Sequence, residues 1–145
     1  NLGCKHKLGM RIYYKYIILA AVFLIFTDFK SDTGHALKLI VFEGSDWCAN
    51  CRRLEKNVLT DSSFVIFLQQ NHIELERIDF PQRKKISETL QKYNNAIAEK
   101  YAFDGRFPAV VLTRTDTLIY HRIEYRNQTA DEFMKLLLFE MKVLQ

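Results

Sequence analysis

The stretch Gly44-Ser45-Asp46-Trp47-Cys48-Ala49-Asn50-Cys51 decides how the rest of the chain is read. Before it, Leu37-Lys38-Leu39-Ile40-Val41-Phe42 carries a single charge among apolar residues, as does a central strand covered on both faces. After it, Leu54, Val58 and Leu59 recur at helical spacing. The two cysteines therefore stand where a strand ends and a helix begins. There the free N–H groups and dipole of the first helical turn favour an anion, and a thiol with an ordinary pKa of about 8.5 ionises more readily. The thiolate is the attacking species. A second cysteine one turn further on can attack the mixed disulfide that the first forms with a substrate. Cys48 is thus the candidate nucleophile and Cys51 the thiol that releases the product. Arg52 and Arg53 add positive charge nearby, although exposed arginines on a helix are ordinary surface.

The rival reading of Cys-x-x-Cys is half of a zinc site, which needs two further ligands. No second cysteine pair exists, and none of His35, His72 and His121 has a spacing that recommends it. No metal and no cofactor are expected.

Further along, Asp61 is placed to cap a short helix holding Phe64, Ile66, Phe67 and Leu68. Residues 73–79 alternate as a strand. Pro81 then opens a helix whose buried stripe is expected at Ile86, Leu90, Tyr93, Ile97 and Tyr101. Arg83-Lys84-Lys85 reads as its solvated face. Asp104-Gly105 marks an exit turn, Phe107-Pro108 leads into a strand over residues 109–112, and Thr115-Asp116 turns the chain into a partner strand over 118–125. Thr129 with Glu132 forms a capping-box signature, followed by Phe133, Leu136, Leu137 and Met141 as a buried face. Asn127-Gln128-Thr129 also matches a glycosylation acceptor, but capping explains Thr129 more simply. Strand, helix, strand, helix, hairpin, helix make a three-layer α/β domain.

At 145 residues, 48% apolar, the chain has material for one core. Its formal charge of +4 comes from basic residues scattered among nearly as many acids, which argues for ordinary surface and against nucleic acid. The N-terminus differs in composition. Lys5, Lys7, Arg11 and Lys15 precede an apolar run at 17–26, after which Thr27 and Asp28 restore polarity. A spanning helix needs roughly 20 apolar residues, so residues 1–36 read as a signal peptide, with an uncleaved membrane anchor as the alternative. Residues 37–145 form the domain. Cys4 precedes the apolar run, unlike a lipid-modified cysteine, and leaves Cys48 and Cys51 as a redox pair.

These residues together resemble the thioredoxin superfamily, in particular its bacterial envelope branch with a Gly-Ser-Asp-Trp-Cys segment. Asp79-Phe80-Pro81 with the basic residues after it, Ala98-Glu99-Lys100-Tyr101 and Phe107-Pro108-Ala109-Val110-Val111 extend the resemblance over about residues 37–142. It implies a thioredoxin-like three-layer sandwich, a mixed central sheet flanked by helices. It also implies a cis Pro108 lying against the cysteines, and substrate contacts from Trp47, Phe107 and Pro108, with the Phe107 backbone pairing to an extended segment. Two features depart from the family. Phe42 stands where thioredoxins carry a buried aspartate, with Glu43 pointing to the opposite face, and Ala49-Asn50 replaces Gly-Pro between the cysteines. The chain before Leu37 is also short for the family's first strand and helix unless part of the leader remains.

The resulting expectation is a thiol–disulfide oxidoreductase of the periplasm or cell envelope. It would act on cysteine-containing exported proteins or relay reducing equivalents from a membrane thiol reductase, in a direction set by its redox potential. A thioredoxin-like module that binds polypeptides without redox turnover is the alternative, and metal trafficking through the same thiolates is a third.

Overall fold

The computed structural model describes residues 37–144, so the signal peptide or anchor expected over 1–36 lies outside the described residues. Four strands, β1 (Leu37–Glu43), β2 (Ile73–Asp79), β3 (Ala109–Arg114) and β4 (Tyr120–Ile123), form one sheet in the order β2-β1-β3-β4. β1 runs parallel to β2, from Leu37 opposite Ile73 to Glu43 opposite Asp79. It runs antiparallel to β3, with Phe42 opposite Ala109, and β3 pairs antiparallel with β4. The sheet is therefore mixed, and β1 is the central strand that its apolar run predicts.

Alternation along β1 builds the two halves of the core. Leu39 and Val41 face one side, where they meet Leu54, Val58, Phe64, Phe133 and Leu137. Those residues come from α1 (Ala49–Leu54), which widens into a π turn at Glu55–Leu59, from α2 (Ser62–Gln70), and from α4 (Ala130–Val143). Ile40 and Phe42 face the other side, against Ile78, Tyr101 and Val111, where α3 (Glu88–Lys100) ends. The caps are local and follow the sequence. Asp61 Oδ1 accepts the N–H of Ser63 and Phe64 at 2.8 and 3.3 Å, and Thr129 with Glu132 closes the capping box of α4.

Three expectations are corrected. The helix after Pro81 begins only at Glu88, capped by the Ser87 hydroxyl, because residues 81–87 are held as a loop by contacts described below. Its inner face is Asn94, Ile97, Ala98 and Tyr101, while Leu90 and Tyr93 are 45% and 47% exposed. The Tyr93 hydroxyl hydrogen bonds to Glu76 on β2 instead of entering the core. The last strand is shorter than 118–125, and Leu118 is 78% exposed. The Thr113 hydroxyl donates to the Ile119 carbonyl at 3.0 Å and so ties down the turn before β4.

Candidate active site

β1 and β2 are parallel and end together at Glu43 and Asp79, while β3 starts opposite Phe42. Three loops therefore leave the same edge of the sheet: the Gly-Ser-Asp-Trp-Cys turn, the segment from Phe80, and Phe107-Pro108. The sequence elements singled out at distant positions meet here.

Cys48 is the N-cap of α1, with extended backbone, and its Sγ accepts the backbone N–H of Cys51 at 3.1 Å. The two cysteines form a disulfide with Cα atoms 5.3 Å apart. Both are nearly covered, Cys48 at 6% and Cys51 at 2% exposure, so Cys48 is the slightly more exposed residue of the two. No acidic residue lies in the first turn of α1 to oppose a negative charge on that sulfur. Arg52 and Arg53 are exposed, and Arg53 reaches the Asn127 side chain at 3.5 Å.

Trp47 is half-buried. Its Nε1–H donates to the Phe80 carbonyl at 2.8 Å, and its ring meets the edge of Phe107 at 5.2 Å. Phe107 in turn contacts Phe80 at 5.9 Å and Phe103 at 4.9 Å, so an aromatic rim borders the pair. The Phe107–Pro108 peptide bond is cis. Pro108 lines a groove of about 510 Å³ with Asn50, which lies between the cysteines, and with Phe107, Val110 and Tyr125. The sequence-predicted residues Trp47, Cys48, Cys51, Phe107 and Pro108 are thus brought to one edge of the fold.

Two arrangements were not read from the sequence. Three consecutive residues of the turn hold the segment that begins at Asp79. Ser45 donates from its N–H and hydroxyl to the Asp79 carboxylate at 2.8 and 2.6 Å. The Asp46 carboxylate accepts the N–H groups of Gln82, Arg83 and Lys84 at 3.0, 2.8 and 2.9 Å. Trp47 takes the Phe80 carbonyl. Desolvation pushes the Asp46 carboxyl up, but the three backbone donors outweigh it and hold its pKa below the ordinary aspartate value. The partners lie more than 30 residues away in sequence, so no local pattern reveals them.

The second arrangement concerns the missing aspartate. Phe42 is fully buried and stacks on Phe103 with centroids 4.6 Å apart. Glu43 faces the α1 side and is also buried, with both carboxylate oxygens taken by Arg77 at 2.8 Å. Arg77 also reaches Glu55 at 2.5 Å, so the ion network links β1, β2 and the π turn of α1. Glu43 above all, and Glu55 with it, raise the Arg77 pKa above its ordinary value against the opposing effect of burial.

A mixed sheet between two helical layers, with a Cys-x-x-Cys at the start of the first helix and a cis proline entering β3, defines a thioredoxin-fold domain with a vicinal cysteine pair. Fold and cysteine pair together are similar to those of the thioredoxin superfamily. No protein-family model matches it. It is similar to the disulfide bond reductase DsbH of Chlamydia pneumoniae, at 31% identity over 81 residues, 56% of this chain and 48% of that protein. It is also similar to the thioredoxin-related protein DsbJ of the same organism, at 24% identity over 101 residues, 70% of this chain and 29% of that protein. The matched stretch therefore spans about half of the first relative and less than a third of the second. A solved structure of a DsbH oxidoreductase superposes with a TM-score of 0.69 at 23% identity, covering 76% of this chain and 75% of that one, which shows the shared fold.

Proposed function

We propose that the domain is a thiol–disulfide oxidoreductase that reduces disulfides of other proteins. The observation that carries this reading is Cys48 itself, an N-cap whose sulfur accepts the N–H of Cys51 and which is the more exposed residue of the pair. The same donor that meets the sulfur in the disulfide stabilises a thiolate there after reduction. The Cys48 thiolate attacks one sulfur of a substrate disulfide, breaking that S–S bond and expelling one substrate thiolate. The Cys51 thiolate then attacks Cys48 Sγ, closing the Cys48–Cys51 bond and releasing the second substrate thiolate. The substrate gains two electrons and, from solvent, two protons, while the domain loses two electrons to become the disulfide. A thiol reductant of the membrane would restore the dithiol.

The similarity to a protein described as a disulfide bond reductase supports the direction of transfer. Trp47, Phe107 and Pro108 would receive an extended substrate segment beside Cys48. The basic and then apolar N-terminus supports a site of action in the periplasm or elsewhere in the cell envelope.

The test supplies the full chain with dithiothreitol and follows reduction of a disulfide-bonded model protein. Wild type accelerates the reaction, Cys48→Ser falls to the uncatalysed rate, and Cys51→Ser accumulates a mixed disulfide with the model protein on a non-reducing gel. A chain that only holds polypeptides through Trp47 and Phe107 would bind equally well without either cysteine. Retention of the rate in Cys48→Ser overturns the proposal.

A further inference from the structure

Beside the aromatic rim lies a second groove of about 290 Å³, which the redox chemistry does not use. Phe80, Pro81 and Ile86 give it apolar walls, and all three are partly buried. Asn94 lies buried at its base and is already satisfied, donating to the Asp79 carbonyl at 2.7 Å. Lys84 and Lys85 line it from the exposed side, and among the described residues no carboxylate lines it. Neither lysine ammonium, nor the neighbouring Arg83 guanidinium, has an acidic partner among the described residues.

Solvated lysines usually lie on mobile stems, and three basic residues in a row would by themselves be plain surface. Here the backbone beneath them is fixed. The Asp46 carboxylate holds the N–H groups of Gln82, Arg83 and Lys84, so the turn that carries Cys48 also positions the basic run. The groove also adjoins the aromatic rim through one shared residue. Phe80 forms one of its walls, accepts the Trp47 indole N–H through its carbonyl, and touches the Phe107 ring.

We infer that this groove binds an extended, acidic polypeptide segment flanking the reactive disulfide of a protein substrate. The inference rests on the proposed redox function. Apolar side chains of the segment lie on Phe80, Pro81 and Ile86, while its Asp and Glu residues meet Lys84, Lys85 and Arg83. Nucleic acid is a poorer fit, because the groove is small and apolar-walled and the basic residues elsewhere are interleaved with acids.

The test uses the full chain in its oxidised form and two peptides without cysteine. They share an apolar centre, flanked in one by Asp and Glu and in the other by Asn and Gln, and binding is measured by calorimetry. The acidic peptide should bind about tenfold more tightly, an advantage carried by charges at a partly exposed rim and therefore lost at about 0.5 M salt. Lys84→Gln/Lys85→Gln should abolish the advantage, and Lys84→Arg/Lys85→Arg should retain it, which separates charge from folding. Equal binding of the two peptides, or an advantage that survives the glutamine variant, overturns the inference. Because the assay needs no turnover, loss of disulfide reduction with the charge preference intact sinks only the redox proposal. Reduction without the preference sinks only this one.

Discussion

Gly44 has no room for a side chain. A Cβ placed there would lie 2.3 Å from Trp47 Cε2 and 2.4 Å from Nε1, far inside contact distance. The indole cannot move aside cheaply, since its N–H is bonded to the Phe80 carbonyl and its face rests on Phe107. Gly44→Ala should therefore break that bond, costing about 1–3 kcal/mol of stability. It should also shift the emission of Trp47, the sole tryptophan, to the red. Chemical denaturation and fluorescence check this together, and unchanged values in both would contradict it. At this scale the cysteine pair and its setting at a helix start were legible, because spacing and strand-to-helix order are local. The steric need for Gly44 was not, although the glycine itself was in view, because it depends on where Trp47 turns. Glu43 was read as pointing away from Phe42, and it does. Its commitment to Arg77 was invisible because the two lie 34 residues apart.

The segment at 81–87 shows two local signals competing with a distant one. Proline at the first turn and the spacing of Ile86, Leu90 and Tyr93 suggest a helix from Pro81, yet the Asp46 carboxylate takes three consecutive N–H groups there and the helix waits for Ser87. Of the expected stripe, Ile97 and Tyr101 lie inside, joined by Asn94, while Leu90 and Tyr93 are left exposed. The strength of that hold can be read from its pH dependence. The Asp46 pKa is lowered in the folded chain, so its contribution is fully present above the unfolded value of about 3.9 and is lost as pH falls through the lower folded value. The amide proton shifts of Gln82, Arg83 and Lys84 should therefore titrate together with a midpoint below about 3.9. Asp46→Asn should remove that titration and speed hydrogen exchange at all three. A midpoint at or above the ordinary aspartate value would contradict the account.

Over the whole molecule, the order of elements and the central place of β1 followed from hydrophobic pattern. The caps at Asp61 and Thr129 and the inner faces of α1 and α4 came from the same source. The convergence of three loops at one sheet edge could be stated only once register was known, with Glu43 opposite Asp79 and Phe42 opposite Ala109. That register brings Cys48 and Cys51 to the same end of the sheet as Trp47, Phe80 and the Phe107–Pro108 bond, where the aromatic rim and the basic groove meet at Phe80. The most direct test is the reduction potential of the Cys48–Cys51 pair in the full chain, by equilibration in glutathione buffers with Cys48→Ser as control. The account predicts a reversible two-electron couple near the value of about −270 mV that marks a reductant. A value near about −120 mV, that of a strong oxidant, would contradict the reducing direction, and a pair that does not interconvert at all would contradict the redox function itself.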